Sequence, residues 1–228
     1  MSLLKEFCAE NMTLVPDAIA AGAGRIELCD NLAVGGTSPS IGVIRSAVAY
    51  AKERDVAIMA MARPRGGDFA YSEAELAIML DDIAWARSSG VTGVVFGCTR
   101  AAGPEKNVLD EEFTKQLVEA AKGAGSGPAR DMAAVQVTFH MAFDVLDADE
   151  QLKAIDTLAS LGVERILTHG GPAQLPIEDN LEHLRELIAY ANGRLTILPG
   201  GGINWKNAES VAASLGVSEV HGTKIVQL

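Results

Sequence analysis

The stretch Arg25-Ile26-Glu27-Leu28-Cys29 decides the fold of this chain. Apolar and polar residues alternate in it, and successive side chains of a β-strand point to opposite faces. Ile26 and Leu28 are expected to face a layer of helices. Glu27 and Cys29 then point the other way, into a space that accommodates a carboxylate and a thiol. The stretch therefore predicts a strand that is buried on both faces, as in parallel sheets.

Short apolar runs of this kind recur along the chain and alternate with helical patterns. The predicted strands are 3–8, 25–29, 56–62, 93–97, 134–139, 164–168, 195–198 and 218–221. This alternation predicts an α/β fold, a TIM-like (β/α)8 barrel, with one domain over residues 1–228. An open doubly wound sheet is the alternative, but no Gly-x-Gly-x-x-Gly follows the first strand. The Gly-rich segment 123–128 is predicted to be a surface loop.

Composition narrows the possible partners and the compartment. The formal net charge is −11 and no Lys/Arg run is present, which argues against nucleic acid or an anionic membrane surface as a partner. The sequence has neither a signal-peptide pattern nor an apolar stretch long enough to span a membrane, so a cytosolic protein is expected. The three cysteines lack the density of a secreted disulfide scaffold and are expected to be reduced.

Strand alternation predicts an unusually polar barrel interior. The inward residues are expected to be Glu6, Cys8, Glu27, Cys29, Met59, Met61, Arg63, Gln136, Thr138, His140, Thr168, Glu219 and His221. Buried carboxylates are costly unless they are paired, so these glutamates are expected to meet Arg63, a histidine or water. A structural network that fixes the strand register and a functional site both fit this pattern.

Six blocks of sequence, spread over nearly the whole chain, point to a known family. They are Phe7-Cys8-Ala9-Glu10-Asn11, Arg25-Ile26-Glu27-Leu28-Cys29-Asp30-Asn31-Leu32, Gly35-Gly36-Thr37-Ser38-Pro39-Ser40, Arg63-Pro64-Arg65-Gly66-Gly67-Asp68-Phe69, Val137-Thr138-Phe139-His140-Met141-Ala142-Phe143-Asp144 and Glu219-Val220-His221. In content and order they resemble the blocks of the copper homeostasis protein CutC family. The resemblance implies a single TIM-like barrel, a cytosolic location, a role in copper handling, and Cys8 and Cys29 as copper ligands. His169 departs from the family pattern, which more often has Ser before the glycine pair.

Cu(I) chemistry fits the two cysteines of the first two strands. Cu(I) is a soft ion that favours thiolate ligands. Cys8 and Cys29 lie on consecutive strands, which pair about 4.8 Å apart in a barrel. We therefore expect one Cu(I) between the two thiolates at the carboxyl-terminal rim of the barrel. The alternative is that these cysteines are small buried apolar residues, which is also the interpretation of Cys98.

An enzyme is the second functional hypothesis, with a small anionic, possibly phosphorylated, substrate. The candidate anion site consists of Gly170, Gly171, Gly201 and Gly202, whose backbone N–H groups follow the sixth and seventh strands, where barrel enzymes bind phosphate. Tight turns that need positive φ explain the same glycines equally well. The candidate catalytic residues are Glu27, Arg63, His140 and Asp144. His140 and Asp144 would serve as acid/base and orienting carboxylate, and Arg63 would hold the anion.

The last residues predict an incomplete outer layer. Residues 222–228 can make at most about two helical turns, so the eighth helix is expected to be short or absent. The outer face of the eighth strand would then keep apolar surface exposed, and such patches mark interfaces. A homo-oligomer, most simply a two-fold dimer, is expected to cover it. A compact tail that folds over a small gap is the alternative.

Overall fold

The computed structural model describes residues 3–104, 106–123 and 133–228. Most of the predicted surface loop at 123–128 lies outside these residues. The strands of the described chain are β1 Leu4–Glu10, β2 Arg25–Cys29, β3 Ala57–Met61, β4 Gly93–Phe96, β5 Thr99–Gly103, β6 Lys106–Leu109, β7 Gln136–Phe139, β8 Arg165–Thr168, β9 Thr196–Pro199 and β10 Glu219–Gly222. Its α-helices are α1 Val15–Ala20, α2 Ile41–Lys52, α3 Glu73–Ser88, α4 Glu111–Lys122, α5 Ala148–Leu161, α6 Leu181–Ala191 and α7 Ala208–Leu215.

Eight of these strands form one parallel sheet in the order β10-β1-β2-β3-β4-β7-β8-β9. The two strands at the ends of this order, β9 and β10, contact each other, so the sheet curves into a nearly closed barrel. A helix follows every barrel strand except β10, and the hairpin described below is inserted between β4 and its helix α4. The predicted TIM (β/α)8 barrel in a single domain is confirmed, and the open doubly wound sheet is excluded because its edge strands would lie far apart.

The strands β5 and β6 form an antiparallel hairpin outside the barrel, which the sequence analysis did not predict. Thr99 pairs with Leu109, and the hairpin lies between β4 and α4. The sequence Thr-Arg-Ala-Ala-Gly of β5 has no apolar alternation, and four of its five residues are exposed. The strand therefore gave no periodic signal for burial.

Side-chain caps define where several helices begin. The hydroxyl of Ser72 accepts from the backbone N–H of Glu75, and the Glu75 carboxylate accepts from Ser72, which makes a capping box at α3. At the starts of α4 and α5, one carboxylate oxygen of Asp110 and of Asp147 accepts from the backbone N–H three residues later. These caps fix the points at which the chain turns away from the carboxyl ends of the strands.

Buried apolar side chains form two separate groups on the two faces of the barrel wall. The larger group packs between strands and helices and includes Phe7, Ile26 and Leu28. The smaller group lies inside the barrel and comprises Cys8, Cys29, Met59, Met61 and Val95. The division confirms the alternation predicted for β1 and β2, with Ile26 and Leu28 outward and Cys29 inward.

The parity of β8 is the exception to the predicted inward set. Arg165 points inward and bonds across the barrel to Gln136 and Glu219, so Thr168, three residues later, faces the helices with Ile166. The prediction that Thr168 faces the interior was therefore wrong, and Arg165 was missed.

The segment that follows β10 contains no helix, which confirms an absent eighth helix in the described chain. Lys224 forms an isolated parallel bridge with Asn204, and its carbonyl accepts from the backbone N–H of Trp205. Ile225 and Val226 are buried. The tail therefore covers the gap, as the alternative proposed, and removes the apolar surface on which the dimer was argued. The homo-oligomer stays a prediction.

Candidate metal centre

Three neighbouring strands bring a thiol, a carboxylate and an imidazole together inside the barrel. Cys8 of β1 is in register with Glu27 of β2, and Glu6 of β1 is in register with His221 of β10. One ligand atom each from Cys8, Glu27 and His221 lies within 4.8 Å of the other two, and all three residues are buried. The candidate centre thus contains Cys8, as predicted, together with Glu27 and His221.

The imidazole of His221 is oriented by Glu6. Its Nδ1 lies 2.7 Å from Glu6 Oε1, and since an ionised carboxylate only accepts, Nδ1 carries a proton. Nε2 faces Glu27 Oε2 at 3.8 Å. Burial alone would lower the pKa of His221, but the negative charge of Glu27, the hydrogen bond with Cys8 and the carboxylate of Glu6 raise it well above its usual range.

The two thiols of the interior have opposite pKa shifts. The hydrogen bond from Cys29 lowers the pKa of Cys8 well below its usual range, and the nearby His221 supports this against the effect of burial. The same contact raises the pKa of Cys29, to which burial and the Glu27 carboxylate add. Sγ of Cys29 also lies 3.7 Å from Glu27 Oε2. The contact between the two thiols therefore favours loss of the proton from Cys8 before Cys29.

Glu27 stands between the ligand groups and is only partly satisfied. Its side chain is buried, and Oε1 has no hydrogen-bond partner among the described residues. Burial raises the pKa of Glu27 well above its usual range, and the negative charge of Cys8 adds to the shift. An unsatisfied buried oxygen is costly, so the geometry favours an additional group at this position.

A layer of paired charges supports the centre from the amino-terminal ends of the strands. Arg25 binds Glu6 through Nε and Glu219 through Nη2, the latter at 2.7 Å. Arg165 binds the same Glu219 at 3.1 Å and Gln136 at 2.7 Å. Burial raises the pKa of Glu6, but the hydrogen bond from His221 and the charge of Arg25 lower it to about 2.

The interior glutamates were predicted to meet Arg63, a histidine or water. Glu6 and Glu27 do lie against His221, but no ion pair joins Arg63 to them in the described structure. Arg25 and Arg165 hold Glu6 and Glu219 in its place. Arg25 opens its strand with the parity of Glu27 and Cys29, so alternation continued to the start of β2 would have identified it. Arg165 has the parity opposite to that predicted for β8, so the same rule would not have identified it.

Arg63 instead holds the loops at the carboxyl end of the barrel. Its Nη1 donates to the carbonyl oxygens of Val34 and Gly36, at 3.1 and 2.9 Å, and Nη2 donates to Gly67 at 2.9 Å. A β-carbon on Gly36 would lie 3.1 Å from Cys29 Sγ, so this loop packs directly on the thiol. Cys29 therefore lies directly beneath a loop, inside the barrel.

His140 and Asp144 are not hydrogen-bonded to each other in the described structure. His140 Nδ1 accepts from the backbone N–H of Ala142 at 3.1 Å, and burial and the charge of Arg63 lower the pKa of the imidazole to about 3. Asp144 accepts from Thr168 Oγ1 and from the backbone N–H of His169. Burial raises the pKa of Asp144. The carboxylate thus ties the turn after β7 to the end of β8.

The four glycines predicted to bind an anion lie in closely packed turns. Gly170, Gly201 and Gly202 have positive φ, and a β-carbon on Gly170 would lie 2.4 Å from Leu184. The N–H of Gly170 donates to Thr168 Oγ1, and the His169 ring lies against the carbonyl oxygens of Gly200 and Gly201. Backbone conformation and close packing therefore account for glycine here. The anion site at these residues stays a prediction.

Cys98 lies apart from the other thiols. It is fully buried in the outer apolar group, and burial raises its pKa. This agrees with the prediction that it packs as an apolar residue.

None of the helices in the described ranges has both the length and the hydrophobicity that a membrane span requires.

Comparisons with known proteins agree with the fold. The model of the CutC family matches residues 3–226. A CutC family protein of Enterococcus faecalis is 54% identical over 224 residues, which is 98% of this chain and all of the relative. A CutC family protein of Streptococcus pyogenes is 42% identical over 224 residues, again over 98% of this chain and all of the relative.

Solved structures give the same relationship. The crystal structure of a candidate copper homeostasis protein CutC from Streptococcus agalactiae superposes with a TM-score of 0.88 at 41% identity, covering 98% of this chain and all of that one. Deoxyribose phosphate aldolase from Aeropyrum pernix, at 13% identity, a TM-score of 0.67 and coverage of 97% and 85% of the two chains, shares only the barrel fold. The chain belongs to the CutC family.

Proposed function

We propose that this protein binds Cu(I) inside its barrel and serves in copper homeostasis. The observation that carries the proposal is the group of ligand atoms from Cys8, Glu27 and His221 within 4.8 Å of one another, with the Cys29 thiol beside them. Family membership supports the same role, because a solved relative is described as a candidate copper homeostasis protein.

The donor set favours a soft ion. Thiolate and imidazole are the ligands that Cu(I) prefers, whereas carboxylates suit harder ions. Cys8 has the lowered pKa that ligation requires, and the low-polarity wall formed by Met59, Met61 and Val95 limits competition from water. We therefore assign Cys8 and Cys29 as the ligands, with His221 as the third donor.

Glu6 and Glu27 have supporting roles in this assignment. Glu6 holds the proton on Nδ1 of His221 and turns Nε2 toward Cys8, the arrangement in which a carboxylate orients a ligating histidine. Glu27 lies next to both Cys29 and His221, and both must lose a proton before they bind.

Anaerobic titration with Cu(I) against a competing chelator tests the proposal. One tight equivalent is expected for the native protein. Replacing either ligand, in Cys8→Ser or Cys29→Ser, is expected to weaken binding by more than the roughly 10–100-fold that loss of a supporting partner costs. Cys98→Ser is the matched control, because its thiol lies in the outer apolar group. Equal affinity of all four proteins would refute the proposed site.

A reducing cytosol, which keeps the three thiols free, is the compartment that fits this function.

A homo-oligomer is retained as part of the proposal, since Trp205 and Leu228 remain 42% and 58% exposed beside the covered tail. The enzymatic hypothesis with Glu27, Arg63, His140 and Asp144 stays a prediction; its supposed pair, His140 and Asp144, binds different partners.

A further inference from the structure

Arg63 is a buried guanidinium without a carboxylate partner among the described residues. It is 3% exposed, and it forms no ion pair with an acidic side chain of the described residues. The interior arginines Arg25 and Arg165 both have such partners. Carbonyl oxygens of the surrounding loops satisfy three N–H groups of Arg63 but carry no formal charge. A buried positive charge of this kind favours an anion beside it.

Three buried polar atoms around Arg63 have no hydrogen-bond partner in the described structure. They are Nε of Arg63, Oη of Tyr71 and Nε2 of His140. Arg63 acts on both other groups. Burial raises the pKa of Tyr71 to about 12, against the charge of Arg63 and a side-chain hydrogen bond with it, and burial together with the charge of Arg63 lowers the pKa of His140. The three atoms therefore belong to one neighbourhood.

Each of the three atoms is a hydrogen-bond donor. The guanidinium of Arg63 only donates. Nδ1 of His140 accepts from the Ala142 N–H, so in the neutral ring the proton lies on Nε2. The Tyr71 phenol keeps its proton at neutral pH, since its pKa is raised. The Tyr71 oxygen can itself accept from Arg63, but the Tyr71 O–H and the His140 Nε2–H still have no acceptor among the described residues, so an acceptor from outside the chain fits between them.

The geometry points to a binding site for a small carboxylate, formed by Arg63, Tyr71 and His140 at the carboxyl ends of β3 and β7. One positive charge and two neutral donors match a monoanion. Phosphate, which carries about −1.5 to −2 near neutral pH when esterified, would leave excess negative charge in a buried site. The site is separate from the proposed copper ligands and does not include Asp144.

Phe69 covers this site on the solvent side. Its ring centroid lies 4.9 Å from Cζ of Arg63 and 5.1 Å from the ring centroid of His140. Phe69 is only partly buried and belongs to the β3–α3 loop, whose tip residues Gly67 and Asp68 are exposed. A carboxylate therefore enters by displacing one aromatic side chain of a surface loop.

Calorimetric titration with formate and acetate at constant ionic strength tests the site, with chloride and phosphate as comparison anions. The native protein is expected to bind formate saturably and more tightly than chloride or phosphate. Tyr71→Phe removes a single hydroxyl and no charge, so the empty protein is expected to keep its fold and most of its thermal stability. Loss of a hydrogen bond to a charged group is expected to weaken formate binding roughly tenfold. Tyr50→Phe, at the carboxyl end of α2 on the opposite end of the barrel, is the matched control.

His140→Asn gives a second variant with a different design. The Asn side-chain oxygen can replace Nδ1 as the acceptor for Ala142, while the donor at the Nε2 position is lost, so weaker formate binding is expected with the turn intact. Cu(I) affinity is expected to be unchanged in Tyr71→Phe, which separates this test from that of the proposed function. Equal binding of formate and chloride by the native protein, or equal formate affinity in native and Tyr71→Phe proteins, would overturn the inference.

Discussion

The two layers of the barrel interior differ in how completely their polar side chains are paired. At the amino-terminal ends of the strands, Arg25 and Arg165 meet Glu6 and Glu219, so that two positive charges balance two negative ones, although Nη1 of Arg165 has no hydrogen-bond partner among the described residues. One layer higher, around Cys8, a carboxylate oxygen remains without a partner and the neighbouring pKa values are shifted in opposite directions.

This difference separates a structural network from a candidate site. A balanced network can be completed by the chain alone, and it fixes the register of the strands that contribute to it. An incomplete set of polar groups is a cost that folding does not recover, and such sets concentrate where a protein binds something. The structural network that the sequence allowed is found in the lower layer, and the functional site stays a proposal for the upper layer.

The largest effect is expected from breaking the lower layer. Arg25→Met leaves Glu6 and Glu219 with one positive partner fewer in a buried position, and removal of one partner from a buried ion pair costs about 3–5 kcal/mol. Chemical denaturation at neutral pH measures the loss. Arg54→Met is the control, since its pair with Glu53 at 3.5 Å is exposed and is expected to contribute less than about 1 kcal/mol. Equal losses in the two variants would contradict a structural role for the lower layer.

The upper layer is expected to respond to pH through Cu(I) affinity. The pKa values of Cys29 and His221 are raised, so both groups hold protons at neutral pH that binding must release. Affinity is therefore expected to increase with pH, roughly tenfold per pH unit for each proton released. Competition titrations between about pH 6 and pH 8 give the slope. A flat profile would mean that the ligands are already deprotonated in the free protein.

The smallest effect is expected at a hydroxyl of the interior that has no partner. Thr138 Oγ1 is buried without a hydrogen bond among the described residues, so Thr138→Val is expected to change the free energy of unfolding by less than about 1 kcal/mol, in either direction. Thr168→Val is the matched variant, because Oγ1 of Thr168 donates to Asp144 and accepts from the Gly170 N–H. Its loss is expected to cost about 1–3 kcal/mol. A reversed order in thermal or chemical denaturation would contradict this assignment of partners.

Strand alternation was sufficient to predict much of the barrel. Polar and apolar side chains alternate with period two from Arg25 to Cys29, and this alternation predicts that Glu27 and Cys29 face the barrel interior. The same rule located Glu6 and His221. It failed at β8, because the polar Thr168 at the strand end was taken as inward while Arg165 was not considered.

The partners of the interior groups depend on strand order and could not be predicted from local sequence. His221 meets Glu6 because β10 pairs with β1, a contact between residues 215 positions apart. Asp144 follows His140 by four residues, yet the short 3-10 turn Met141–Val145 directs it to Thr168 on the next strand. Spacing alone suggested a pair where the fold makes two separate contacts.

The loop over Cys29 has a consequence for the timing of ion exchange. It is held by Arg63 through two carbonyl oxygens and by Glu10, whose carboxylate accepts from the Leu32 N–H at 2.6 Å. An ion beneath it leaves toward the carboxyl end of the barrel only after these bonds open. Local opening is slow compared with diffusion, so a bound ion is expected to have a long residence time. If the protein binds Cu(I) as proposed, slow release of this kind is better suited to storage than to rapid delivery.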